Sequence, residues 1–285
     1  MLAVKLFTDT PHDVNSTALS LAENGIAPCG IEVGLYSAED LSPDLESRIM
    51  NLRNETKVLH SYLREIGLDE ISNKRPETLL HLENEMLASQ RMGISTSVVH
   101  TYRNSDESVR IDYPDPKIAA RQWAGAALQM FDMGMRPLVE KTFESLPWLK
   151  AFFSEWNRLG IASKTGFCLD IGHSRVWHRV QLELWLDFTK YLRDQGFAIH
   201  FHIHGNAGDR DSHRPLHLAH DEGLLAPSTD WAPRGVIPWL CDAMREHPDS
   251  LFTLESKTEY AISAFKFAIN ALEAKPTELL SSEAP

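Results

Sequence analysis

The 285-residue chain reads as one α/β domain, a single (β/α)8 TIM barrel, and three observations point there. Short apolar runs alternate with longer amphipathic stretches, eight of each, which is the length and rhythm of a barrel. Six of the eight runs end in His, Asp or Glu. The turn after the first run, TDTPHD, has no Gly, whereas an open doubly wound sheet usually carries a Gly-rich phosphate turn at that place.

In chain order the expected strands are AVKLF (3–7), GIEVGL (30–35), KVLH (57–60), TSVVH (96–100), RPLVE (136–140), GFCLD (166–170), AIHFHIH (198–204) and LFTLE (251–255). Between them, apolar residues recur at helical spacing over 16–24, 40–52, 77–92, 118–133, 147–159, 180–195, 237–246 and 259–274. Asn15 or Ser16 and Thr258 are suitable N-caps for the first and last of these. The barrel is expected to span 1–275, with 276–285 as a C-terminal tail.

With 43% hydrophobic and 24% charged residues the composition is that of a soluble globular protein. No apolar run reaches 18 residues, so no membrane partner is expected. The opening MLAVKLFTDTPHD meets Asp9 too early for a secretory signal. Cys29, Cys168 and Cys241 are odd in number and form no Cys-x-x-Cys pair, which suits reduced thiols and a cytoplasmic location. A net charge of −12 argues against charge-driven binding to nucleic acid or anionic lipid.

The 13 histidines carry the functional signal through their positions. His60, His100, Glu140, Asp170, His202 with His204, and Glu255 all end expected strands. In a parallel barrel those ends share one rim, where active sites are built. Residues spread over 195 positions of sequence would therefore converge. Asp170-Ile-Gly-His173 adds a donor three residues on, and Asp211-Ser-His213 adds two in the loop after the seventh strand. Carboxylate oxygens with imidazole nitrogens suit Zn, Mn, Fe or Co.

Taken singly, each of these has a structural explanation, as a satisfied core histidine or an ion-paired strand end. His200, lying deepest of the three alternating histidines, is expected to be structural. His12, His81, His178 and His247 are assigned to loops or helix surfaces, and the roles of His204, His217 and His220 stay open. Lys141 and Lys257 follow ligand carboxylates and are expected to face away from the lumen in helix–sheet ion pairs. Asp9 is read as turn chemistry, while Trp177 and Trp231 are expected to line the pocket.

These residues resemble the xylose-isomerase-like TIM barrels, which include sugar-phosphate isomerases and epimerases and the endonuclease IV type of AP endonuclease. The likeness covers nearly the whole chain and is strongest over 136–255. LVEKT resembles the strand-five Glu motif, CLDIGHS the Asp-x-x-His element, HIHGNAGDRDSHRPL the strand-seven His with its Asp-x-His, and FTLES the final Glu. The resemblance implies metal-ligand roles for Glu140, Asp170, His173, His202, Asp211, His213 and Glu255. His60 and His100 match ligand positions of the endonuclease IV branch. Gly205 departs from the Asp common after the strand-seven pair, Lys141 from the Asn common after the first Glu, and AHDEGLL from a Gly-x-Gly.

Two reactions are open. In the first, one divalent ion (Mn, Zn, Mg, Fe or Co) on Glu140, Asp170, His202 and Glu255 serves an isomerase or epimerase of a small sugar, sugar phosphate or polyol. Glu140 and Glu255 then act as acid and base, with His173 holding a substrate hydroxyl. In the second, His60, His100, His173, Asp211 and His213 hold further ions, up to three in all, for phosphodiester hydrolysis. Nucleic acid enters as a partner only here, with TYRNSDESVRIDY and SRVWHR as its contact segments. A non-catalytic metal- or sugar-binding barrel is the third and weakest reading.

Overall fold

The computed structural model describes residues 1–7, 23, 30–35, 43–50, 56–61, 67–73, 76–101, 113–177 and 179–273. Eight parallel strands close into a barrel in sequential order: β1 (Leu2–Phe7), β2 (Gly30–Gly34), β3 (Thr56–His60), β4 (Thr96–Val99), β5 (Arg136–Glu140), β6 (Gly166–Asp170), β7 (Ala198–Ile203) and β8 (Phe252–Leu254). Closure is made by β1 against β8, where Leu2, Ala3 and Val4 pair with Phe252, Thr253 and Leu254. All eight expected strands are present, though His100, His204 and Glu255 fall one residue beyond their strands, at the rim itself.

Seven expected helices have counterparts: Pro43–Met50, Pro76–Arg91, Pro116–Asp132, Leu146–Arg158, Leu182–Asp194, Val236–Glu246 and Ala261–Glu273. Apart from residue 23, the one expected over 16–24 lies outside the described residues, as do the tail 276–285 and Asp9, His12, Cys29 and His178. Three short helices, Gly67–Ser72, Ile171–Val176 and Leu216–Asp221, escaped the periodicity reading. Each is only six residues long, too short to show a 3.6-residue repeat.

Strand alternation sorts each strand into two faces. In β6, Phe167 and Leu169 join the large core cluster, while Cys168 belongs to a second, smaller cluster with Ala3, Val58, Val98, Leu138 and Leu251. The large cluster is rich in rings between β5–β7 and the helices outside them. Phe153 meets Trp156, Phe167, Phe188 and Phe197 edge-on at centroid distances of 5.2–6.1 Å, the geometry aromatic quadrupoles favour. This layer holds the strands in register, so the opposite face of the same strands can be given over to polar groups.

Candidate metal centre

The barrel face opposite the aromatic layer gathers Glu32, His60, His100, Glu140, Asp170, His173, His200, His202, His204 and Glu255, all buried. Four donors lie at its centre: Glu140, Asp170, His202 and Glu255 offer ligand atoms within 4.8 Å of one another. His202 Nδ1 is the hub, 3.3 Å from Glu140 Oε1, 3.2 Å from Glu255 Oε2 and 3.8 Å from Asp170 Oδ2. To one side, His60 and His100 form a second group with Glu140. Their Nε2 atoms stand 3.2 and 3.0 Å from Glu140 Oε2. To the other side lies a third group of His173, His204, Asp211 and His213, in which Asp211 Oδ2 is 3.0 Å from His173 Nε2 and 2.7 Å from His213 Nε2. Every residue expected at the site is thus brought together, and Glu140 takes part in two groups.

Local backbone chemistry explains how the loops deliver these side chains. Asp170 caps the helix Ile171–Val176, its Oδ1 accepting the His173 N–H at 2.7 Å, so the Asp-x-x-His spacing is that of an N-cap and its third helical residue. Between them stands Gly172, where a Cβ would overlap the His204 imidazole. His204 Nε2 lies 3.0 Å from Asp170 Oδ1, and its ring stacks on His213 with centroids 4.2 Å apart. His213 is held at φ 41°, in the left-handed region that costs a non-glycine residue on the order of 1 kcal/mol and that clusters at functional sites.

Gly205 has a physical reason to depart from Asp. Its N–H and C=O pair with Arg214 at 2.7 and 2.9 Å, and a side chain there would overlap Ala219.

Sequence reasoning missed two members. Glu32 on β2 lies beneath the donors, its Oε2 3.0 Å from His202 Nε2 and 2.8 Å from His200 Nε2. Lys5 on β1 is fully buried, contacts Glu255 and His60 Nδ1, and lies 3.2 Å from Glu32 Oε1. A signal was available: a charged residue inside an otherwise apolar parallel strand has to face a buried partner. His200, expected to be structural, bonds to Glu32 and lies 3.1 Å from Thr253 Oγ1.

The electrostatics are those of a cation site. Burial pushes the Glu140 carboxyl up, but His202 and His100 outweigh it and hold the group well below the usual carboxylate range. Glu255 is likewise raised by burial and held well down by Lys5 and His202. Burial pulls His173 down, yet Asp170 and Asp211 lift the imidazole to about 10. His202 and His204 are also raised over the opposing effect of burial, with Asp170 the chief cause at His204. Ionised carboxylates are thus balanced by Lys5 and by protons on imidazoles that a divalent ion would displace. Among the described residues, His100 Nδ1 is buried with no hydrogen-bond partner, and His60 Nε2 and Glu255 Oε2 have only other donors of the cluster beside them, an arrangement natural proteins avoid unless something further binds there. The residues therefore fit divalent metal in both donor type and unmet bonding capacity.

Several surrounding residues differ from expectation. Lys141 faces away from the donors as foreseen but, among the described residues, makes no helix–sheet ion pair. Its Nζ donates to the carbonyls of Thr142, His173 and Trp177 at 2.7, 2.9 and 3.1 Å. Burial, only partly opposed by Glu144 and Asp170, lowers it to about 8, and carbonyls rather than carboxylates take its protons. Lys257 is exposed. Trp177 does sit beside the site, 5.2 Å from the His173 ring. Trp231 instead donates its indole N–H to Ser174 at 3.1 Å, with Arg175 over its face, so it supports the helix that carries His173. His217 and His220 pack towards Tyr260 and Phe267, not towards the donors. His247 is buried beneath Thr189 rather than lying on a surface, because the helix Leu182–Asp194 covers it. Of the expected nucleic-acid segments, 102–112 lies outside the described residues. In SRVWHR, Arg175 is occupied by the carbonyls of Asn206 and Leu224, and Arg179 pairs with Asp230.

Among the described residues no helix is long and apolar enough to cross a membrane. Cys168 and Cys241 are free thiols.

Comparison with known proteins matches this fold to solved barrels at low identity. A D-tagatose 3-epimerase-like protein superposes with a TM-score of 0.64 at 15% identity, covering 98% of this chain and 99% of its own. Endonuclease IV from Thermus thermophilus gives 0.58 at 17% identity, covering 94% and 98%. The IOLI protein, solved with a bound zinc atom, gives 0.56 at 13% identity, covering 95% of each chain. No protein-family model and no curated protein sequence matches the chain. The structural matches show a shared fold, and the donor clusters show a capacity for metal.

Proposed function

We propose that this protein is a divalent-metal-dependent isomerase or epimerase of a small sugar, sugar phosphate or polyol. The observation that carries the reading is the central group, in which Glu140 and Glu255 flank His202 Nδ1 at 3.3 and 3.2 Å with Asp170 beside them. Glu140, Asp170, His202 and Glu255 would hold the ion, which supplies Lewis-acid polarisation of a substrate oxygen. Two carboxylates on either side of a bound carbon can remove a proton and return it. Lys5 keeps Glu255 ionised and aimed inward. His173, whose Nε2 lies 3.0 Å from Asp211 Oδ2 and Nδ1 3.1 Å from the Lys141 carbonyl, would hold a substrate hydroxyl by exchanging one of these contacts for it. The net charge of −12 and the engagement of Arg175 by the carbonyls of Asn206 and Leu224 fit a small carbohydrate-like substrate better than a polyanion. The structural likeness to an epimerase-like protein agrees with this reading.

A second reading, a phosphodiester hydrolase with two or three ions, is favoured by one specific observation. Glu140 directs Oε1 to His202 and Oε2 to His60 and His100, and Asp211 links His173 to His213. A one-ion isomerase leaves His60, His100 and His213 without a task, whereas closely spaced ions stabilise the attacking and leaving oxygens of a displacement. The test is a substrate panel on protein loaded separately with Mn, Zn, Mg, Fe and Co. Interconversion of ketose epimers or of aldose and ketose, lost in Glu255→Gln, supports the first reading. Cleavage of phosphodiesters or abasic-site DNA with inert sugars supports the second and overturns the first.

A further inference from the structure

Glu32 lies beneath the donors, yet its contacts differ from theirs. His202 meets the central group through Nδ1 and turns its other nitrogen, Nε2, to Glu32 Oε2 at 3.0 Å. The same oxygen takes His200 Nε2 at 2.8 Å, and Oε1 faces Lys5 Nζ at 3.2 Å and His60 Nδ1 at 3.3 Å. A neutral imidazole carries one proton, and the nitrogen that donates a hydrogen bond leaves the other with its lone pair. A carboxylate in contact with Nε2 therefore selects the tautomer whose Nδ1 lone pair points into the central group. Buried without Lys5, that carboxylate would be a costly uncompensated charge. With Lys5 across Glu32 and Glu255, it stays ionised at the barrel floor.

We infer that Glu32, charge-balanced by Lys5, is a positioning residue that fixes His202 as a metal ligand through Nδ1. This rests on the metal reading proposed above. Glu32, His60 and His202 also bring their ligand atoms within 4.8 Å of one another; in the role inferred here Glu32 acts through the imidazole and not as a ligand itself. Carboxylates that orient ligand histidines in this way commonly contribute about 10–100-fold to metal affinity.

The test compares wild type and Glu32→Gln for Co(II) binding by chelator competition, together with the visible spectrum of the bound cobalt. The expected result is an affinity weaker by about 10–100-fold, with the spectrum altered and the stoichiometry retained. A purely structural role would lower the melting temperature of the metal-free protein and leave affinity and spectrum in place, and that result overturns the inference alone. Wild type that binds no cobalt overturns the metal reading and the inference with it. A second measurement needs no substitution at 32. Long-range proton–nitrogen NMR of the zinc-loaded wild type should show His202 protonated on Nε2, and a proton on Nδ1 would contradict the assignment.

Discussion

The two faces of β5, β6 and β7 obey opposite rules. Outward, Phe167, Phe201 and Val139 join an apolar layer whose contacts are complete without any ligand. Inward, Glu140, Asp170 and His202 meet other charged groups at 3–4 Å, and some of their neighbours retain unmet bonding capacity. One face supplies stability and the other is arranged around a cation. Substitutions on the two faces should therefore separate folding from metal binding and turnover.

The largest effect is expected on the inner face. Glu255→Gln should abolish turnover, by on the order of 1,000-fold or more, while circular dichroism shows the fold unchanged; full activity would remove Glu255 from the mechanism. Chelation should abolish turnover reversibly, with a divalent ion restoring it. In the helix that covers the outer face, Phe153→Ala should cost about 3–5 kcal/mol in denaturant unfolding and leave metal affinity, measured on the folded fraction, within about twofold of wild type. An affinity loss as large as that of a ligand variant would show that the faces are not separable.

Gly172→Ala tests the boundary between them. Its methyl must displace the His204 ring, so a stability loss of about 1–3 kcal/mol should come with weaker metal binding, read by unfolding and competition titration. The smallest effect concerns His247, in the helical shell. Burial, reinforced by Arg193, lowers it to about 4, so the unfolded chain binds its proton more readily. Its contribution is complete above the unfolded value near 6.5 and is lost as pH falls towards 4. His247→Asn should flatten that dependence, seen in unfolding curves at pH 7 and 5.

Much of this was legible in the sequence because a parallel barrel couples strand ends to one rim. KVLH, RPLVE and GFCLD advertise both the strand and its terminal donor. His204 was readable by alternation from His202, but its partner, Asp170 on the neighbouring strand, depends on register. Lys5 and Glu32, charges inside apolar strands, signalled only that each has a buried partner; which partner it is depends on register and barrel closure. Lys141 shows a related limit: alternation gives the side it faces, whereas the carbonyls of Thr142, His173 and Trp177 belong to a loop whose path only the fold defines. The short helix Ile171–Val176 was not read from the sequence, where Asp170-Ile-Gly-His173 showed only as a donor spacing; its Asp170 cap is a finding of the structure.

The most direct test of the central claim is metal content per chain, measured by elemental analysis on protein purified without chelator and again after adding Zn, Mn or Co. The donor cluster predicts at least one tightly held divalent ion per chain. One ion agrees with the isomerase reading, and two or three shift the balance to hydrolysis. A protein that carries no metal and takes up none would contradict the account.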